Sequence, residues 1–300
     1  MSLAYSIFKL GAKISGYKKF WEQPDTILLP KCLESNRKLP IPDLHDNEID
    51  ISQEEIGGFP VLKMTHKTQK KAILYIIGGG MVKRPKRFMI KQALSMAKKT
   101  DKDFYIPYYP LCTEYEIGRA FTMVYETYKV MLERYKPEDI TVFGTSAGAS
   151  LAMGIPAYIN HFKFDTPMPK SIIAMSVGTC PATEEERDLA YELDKTDILL
   201  PAKYLDTSVE TKLNKESKYP YFVLHTQTGD YTNCPKVYFI YGENETLRAM
   251  LPSFEKAMQK YGVPYEVKIG PGMFHCYPMY PFCRETKKDY NELLELLKKL

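Results

Sequence analysis

A serine on a sharp turn is the feature of this chain most able to do chemistry. Residues 140–148 read Ile-Thr-Val-Phe-Gly-Thr-Ser-Ala-Gly, an apolar strand running into Gly144, Thr145, Ser146, Ala147 and Gly148. In a Gly-x-Ser-x-Gly pentapeptide between a strand and a helix, the serine adopts a strained backbone conformation and its hydroxyl projects from the sheet's end. The positions two before and two after must then lack Cβ atoms, and Gly144 and Gly148 stand there. The same turn aims the Ala147 amide at whatever the hydroxyl attacks. A serine hydroxyl alone is a weak nucleophile. It needs a base within hydrogen-bond reach and an acid that fixes the base's tautomer.

The histidines beyond Ser146 are His161, His225 and His275. His161 falls at the end of the helix that follows the serine, away from the strand tops. His225 precedes Asp230 in a segment with no clear strand end before it. His275 follows a strand over 265–270 through Pro271, Gly272, Met273 and Phe274, a loop at the carboxyl edge where ligands gather in open α/β sheets. His275 is the expected base. The acid should leave the neighbouring strand top, after residues 236–241. Glu243 and Glu245 both qualify by position, and Asp230 is a further candidate whose plainer role is a turn.

A third element follows the strand over 72–77, where Gly78, Gly79 and Gly80 stand in a row after Ile77. Acyl transfer passes through a tetrahedral oxyanion, and preorganised amides aimed at it contribute about 3–4 kcal/mol each. Consecutive glycines let the backbone turn its amides inward. Dinucleotide and P-loop readings fail, because the Gly-x-Gly-x-x-Gly and Gly-Lys-Ser/Thr spacings are absent.

The elements that must position these groups alternate between strand and helix from residue 72 onward. Apolar strands over 72–77, 103–108, 140–144, 171–177, 236–241 and 265–270 are separated by helices near 84–99, 117–136, after Ser146, 246–261 and 285–300. Short apolar runs of this kind argue for a mostly parallel sheet covered on both faces. Strands near 51–56 and 59–65 hinge at Gly57 and Gly58. Residues 181–215 break the rhythm with acidic helical stretches and read as a lid insertion. At the N-terminus Leu3, Ile7, Leu10, Ile14 and Tyr17 make one apolar helical face flanked by Lys9, Lys13, Lys18 and Lys19. This helix reads as packed on the main domain or covering the site, with a membrane-surface role as the other reading. Residues 23–50, rich in Pro, Asp and Asn, read as a connecting segment. The division is an N-terminal helical cap over 1–50 and a main domain over 51–300.

The 300 residues, 44% hydrophobic and 26% charged, suffice for a sizeable core. With 41 basic and 37 acidic residues the net charge of +4 is too small for a nucleic-acid footprint. No basic stripe is apparent inside the candidate catalytic elements. The six cysteines are scattered without metal-ligand spacing, and with no signal peptide evident they suggest reduced thiols in a cytoplasm. No apolar run approaches the roughly 18 residues that span a bilayer, so stable membrane insertion is not expected. No metal or organic cofactor is called for. A homodimer through the C-terminal helix or an outer strand is compatible with the sequence, though nothing in it specifies one.

With these residues located, the chain resembles serine hydrolases of the α/β-hydrolase fold, above all the hormone-sensitive-lipase-like carboxylesterases. The resemblance runs from about residue 60 to the C-terminus. In that family a His-Gly-Gly-Gly loop supplies oxyanion amides, which implies Gly79 and Gly80 as donors here beside Ala147. The family's acid commonly stands three residues after a glycine and two before a leucine. Gly242, Glu245 and Leu247 fit that pattern, so the resemblance selects Glu245 over Glu243. The implied reaction is hydrolysis of small, short-chain acyl esters by Ser146, His275 and Glu245 through an acyl-enzyme. Two departures stand out. Ile77 replaces the histidine that opens the glycine loop, and the loop after 171–177 lacks the usual acidic, aromatic sequence. A peptidase or amidase with the same residues, or a non-catalytic small-molecule binder on the same fold, are the alternatives.

Overall fold

The computed structural model describes residues 2–68, 70–206 and 219–300. Its frame is an 8-stranded sheet in the order β1-β2-β4-β3-β5-β6-β7-β8. A hairpin of β1 (Asp50–Ile56) and β2 (Phe59–Thr65) joins antiparallel to β4 (Asp103–Pro107). From there β3 (Ala72–Ile76), β5 (Ile140–Thr145), β6 (Ser171–Met175), β7 (Lys236–Gly242) and β8 (Tyr265–Gly270) run parallel. This is the mostly parallel sheet that the strand–helix alternation predicts, and it agrees with the fold that the resemblance implies.

Every residue of β3, β4, β5 and β6 is buried, because helices cover both faces and leave no polar side. Alternate residues feed two cores. Leu74, Ile76, Val142 and Ala174 face one; Ile73, Tyr75, Phe143 and Met175 face the other. The first core is closed by α5 (Ile117–Leu132), α6 (Ala147–Phe162) and the helix Leu251–Tyr261. The second is closed by α4 (Arg87–Thr100) and the helix Arg284–Lys299.

The N-terminal region departs from the sequence reading in two ways. The expected connecting segment contains a helix, α3 (Asp25–Arg37). Leu28, Cys32 and Asn36 recur every four residues on its buried face, and Pro30 lies on another side of the helix, where losing one amide donor is tolerated. The apolar stripe of α1 (Leu3–Ile14) also faces outward: Leu3, Ile7, Leu10 and Ile14 are 77%, 63%, 60% and 76% exposed. Aromatic side chains on the opposite face dock the helix instead. The Tyr5 hydroxyl donates to the Gly272 carbonyl at 2.7 Å, and Phe8 packs 4.8 Å from Phe274 and 4.6 Å from Phe282, centroid to centroid. Large rings reaching the loop before His275 bury more surface than the aliphatic stripe could from its angle. A short α2 (Tyr17–Trp21) follows after Gly16.

In the region expected to form a lid, α7 (Glu184–Asp194) and α8 (Ala202–Tyr204) are helical, while residues 207–215 lie outside the described residues. All six cysteines are free and buried. Among the described residues no helix is long and apolar enough to cross a membrane.

Because α1 is held by its ring-bearing face, Tyr5→Ala should lower the unfolding free energy by about 3 kcal/mol. Leu10→Ala, on the exposed stripe, should change it by no more than about 0.5 kcal/mol. Urea denaturation of the two variants measures both, and equal losses would contradict this docking.

Candidate active site

Parallel pairing levels the strand ends. Ile76 sits beside Gly144, Thr145 beside Met175, and Gly242 beside Gly270. The loops that leave these ends therefore meet along one rim. Ser146 follows β5 as the residue before α6, with φ 53° and ψ −127°. A non-glycine residue there stores about 1–3 kcal/mol of backbone strain. Its neighbours hold it: the Ser146 amide donates to the Met175 carbonyl at 2.9 Å, and the Gly178 amide donates to the Ser146 carbonyl at 3.0 Å. The flanking glycines are required by close approach. A Cβ on Gly144 would lie 2.4 Å from the Gly148 carbonyl oxygen, and one on Gly148 would lie 2.0 Å from that of Ile76.

His275, after β8, brings Nε2 to 3.0 Å from Ser146 Oγ and Nδ1 to 3.0 Å from Glu245 Oε2. A carboxylate only accepts, so Nδ1 carries the proton and Nε2 is free to accept from the serine hydroxyl. Glu245 has no exposed surface. Its other oxygen accepts from the Gly242 amide at 3.2 Å, and the nearby Ser176 favours its charged form. Burial raises the Glu245 carboxyl above its ordinary range, an effect opposed by His275. For His275, burial acts to lower the ring's affinity for a proton, but the Cys276 sulfur at 3.6 Å and the Glu245 carboxylate outweigh it. The imidazole is raised well above its ordinary value.

The other candidates fall elsewhere. Glu243 accepts from the Gly272 amide at 2.6 Å and so shapes the loop that carries His275. Asp230 closes a turn with the Thr232 amide and hydroxyl. His225 is buried against Tyr221, with Nδ1 3.3 Å from the Cys180 carbonyl oxygen, and His161 stays at the end of α6.

The glycine loop after Ile77 is held by hydrogen bonds from several elements. Tyr109 donates to the Ile77 carbonyl at 2.9 Å, and the Gly78 amide donates to Thr145 Oγ1 at 3.1 Å. Tyr204 donates to the Gly80 carbonyl at 2.6 Å, while Asn36 Nδ2 donates to the Val82 carbonyl at 2.8 Å. Gly80 has φ +61°, and a Cβ there would press on Trp21 and Tyr204 at 3.0 Å. Gly78 is thus committed to Thr145. The amides of Gly79, Gly80 and Ala147 donate to no protein acceptor among the described residues.

Two cavities meet at Ser146. A small one of about 40 Å³ is walled by Ile117, Leu200, Val223, Leu224 and Leu247. A large one of about 500 Å³ holds His275 and is walled partly by Phe8, Tyr17 and Trp21. Tyr108, Tyr109, Phe274 and Tyr277, although close to the strand tops in sequence, are buried and line neither cavity, because they fill the core beneath. The sequence reading also misses Ser176, whose only signal is its place after an apolar strand. It overlooks the basic run Lys83-Arg84-Pro85-Lys86-Arg87 as well. Too short and irregular to show a period, this run turns back from the glycines, with the Lys83 amide on the Gly79 carbonyl, and sets Lys83, Arg84 and Lys86 along the large cavity.

A family model described as the alpha/beta hydrolase fold matches residues 73–279. No curated protein matches the sequence. Among solved structures, the esterase EstE5, in crystals soaked with p-nitrophenyl butyrate, has a TM-score of 0.81 at 16% identity, covering 100% of this chain and 99% of its own. An esterase of the bacterial hormone-sensitive lipase family has a TM-score of 0.78 at 17% identity, covering 97% of each chain. A hormone-sensitive lipase from a metagenome library has 0.77 at 19%, covering 98% of each.

If Thr145 holds the glycine loop, Thr145→Val leaves the buried Gly78 amide without an acceptor. The expected loss of unfolding free energy is about 1–3 kcal/mol, read by chemical denaturation. A neutral result would mean that the other anchors suffice.

Proposed function

The chain belongs to the α/β-hydrolase fold family, and on that premise we propose that it hydrolyses small carboxylic esters in the manner of hormone-sensitive-lipase-like carboxylesterases. The observation that carries this reading is the unbroken line from Ser146 Oγ through the His275 ring to the buried Glu245, with a spacing of 3.0 Å at each link. Solved esterases of the same fold support it.

In the proposed reaction Ser146 Oγ attacks the ester carbonyl while His275 Nε2 takes its proton, and Glu245 stabilises the imidazolium that forms. The unpartnered amides of Gly79, Gly80 and Ala147 receive the oxyanion. The ester C–O bond then breaks as His275 returns the proton to the leaving alcohol. Water, deprotonated by the same imidazole, attacks the acyl-enzyme and regenerates Ser146.

The two cavities suggest how the ester lies. The leaving oxygen must take its proton from His275, which lines the large cavity and not the small one. The alcohol half therefore occupies the large cavity, and the acyl half the small apolar one. About 40 Å³ accommodates a group of acetyl size. Residues of the N-terminal cap and Leu199 and Leu200 of the 181–215 segment wall the larger space, which fits a covering role for both.

Turnover of p-nitrophenyl acetate by the wild type beside Ser146→Ala is the direct test. The variant should lose at least about a thousandfold in kcat. Equal rates would end the assignment. In the wild type, kcat/KM should fall by about tenfold or more from acetate to octanoate, since added methylenes overfill the small pocket.

A protonated His275 cannot accept the serine proton. Its raised pKa therefore moves the acidic limb of the kcat/KM profile above the ordinary histidine value of 6.5, with activity rising as pH rises through it. A limb below that value would contradict the proposed environment.

A further inference from the structure

The large cavity carries charge of one sign. Lys83, Arg84 and Lys86 line it with Ser146 and His275, and no Asp or Glu lines it among the described residues. Lys83 is boxed in by rings of α2, its Nζ lying 3.7 Å from the centroid of Phe20, 4.6 Å from Trp21 and 5.7 Å from Tyr17. Burial pulls its ammonium below the ordinary lysine value, with Lys86 adding like-charge repulsion. Arg84 is fixed at its backbone, where its amide donates to Asn36 Oδ1 at 2.9 Å, and its guanidinium forms no ion pair among the described residues.

Lys83 is partly desolvated beside a like charge, and the aromatic faces only partly replace its lost solvation. A negative group entering the cavity would relieve both penalties. The cations also stand on the side where the leaving alcohol lies, close behind the oxyanion glycines, rather than in the apolar acyl pocket. A volume of about 500 Å³ suits a small molecule.

We propose that the substrate is a short-acyl ester of an alcohol bearing a carboxylate or phosphate, which Arg84 and Lys83 hold while Ser146 attacks the acyl carbon. This rests on the esterase reading above. Arg84 supplies the fork geometry that pairs with two anionic oxygens, and Lys83 and Lys86 add point charge beside it. These are specificity-determining residues: the bond that breaks and the path of the proton are unchanged.

The test uses acetyl esters of one phenol skeleton: meta-acetoxybenzoate, meta-acetoxyphenyl phosphate and neutral meta-acetoxybenzamide, with release of the phenol as the readout. For the carboxylate or the phosphate ester, kcat/KM should exceed that of the neutral ester by about tenfold or more at low salt, mainly through KM. The advantage should shrink in high KCl, as screening weakens attraction across the cavity mouth. Which anionic ester is preferred distinguishes carboxylate from phosphate. Arg84→Gln and Lys83→Gln should each lower the anionic-to-neutral ratio several-fold, while Arg84→Lys, which keeps the charge but loses the fork, should retain only part of it.

A wild-type ratio near unity, or one unmoved by Arg84→Gln, overturns the proposal. Should Arg84→Gln fail to fold, the KCl series on the wild type and the Arg84→Lys variant decide. Ser146-dependent turnover of the neutral ester without any charge preference sinks this inference alone. Turnover indifferent to Ser146→Ala removes the esterase reading and this one together.

Discussion

Everything at the strand tops depends on one buried negative charge. Glu245 has no exposed surface, and a carboxylate in that position is tolerated only if its lone pairs are satisfied. The Gly242 amide and the His275 ring meet that demand. Gly242 ends β7 and His275 follows β8, so solvating this carboxylate pins the ends of two neighbouring strands in register. Ser176 extends the bracing by accepting from the Cys276 amide at 3.0 Å, which fixes the backbone beside His275. The imidazole orientation that puts Nε2 on Ser146 thus follows from the need to stabilise a charge out of water.

A second constraint is the crowding of backbone where β3 and β5 end. Ser146 holds a left-handed conformation because its amide and carbonyl are both tied, to Met175 and Gly178. The glycine loop approaches so closely that Gly148 has no room for a side chain. Thr145 is one of the groups that hold the glycine loop. Its hydroxyl accepts from Gly78, while Tyr109 and Tyr204, reaching in from other elements, hold the carbonyls on either side. The N-terminal segment belongs to the same assembly. Tyr5 grips the loop before His275, Trp21 abuts Tyr204 at 4.9 Å, and Lys83 sits among the rings of α2. Cap and machinery are one packing problem.

Much of this was legible from the sequence because its signals are local. Buried parallel strands leave unbroken apolar runs, and strained turns leave glycines at fixed offsets. Those patterns locate β3, β5, β6 and β7, Ser146 and the glycine loop, whereas β8 at the sheet edge carries Glu266 and Lys268 and is mostly not buried. The failures have physical causes too. An internal proline suggests an irregular connection, yet in α3 it lies off the seam of Leu28, Cys32 and Asn36. An aliphatic stripe suggests a buried face, yet α1 docks through rings on its opposite side. Nothing local separates Glu243 from Glu245, since both follow the same strand, and only resemblance to known enzymes tips the choice.

The order of strands, the glycine offsets and the chemical types at the loop ends are properties of the chain itself, because backbone geometry and side-chain chemistry act over a few residues. Which carboxylate meets His275, what holds the glycine loop and which charges face the cavity were decided in three dimensions. Each depends on distances between segments far apart along the chain, from Asn36 to Val82 or from Tyr204 to Gly80, and only packing sets those.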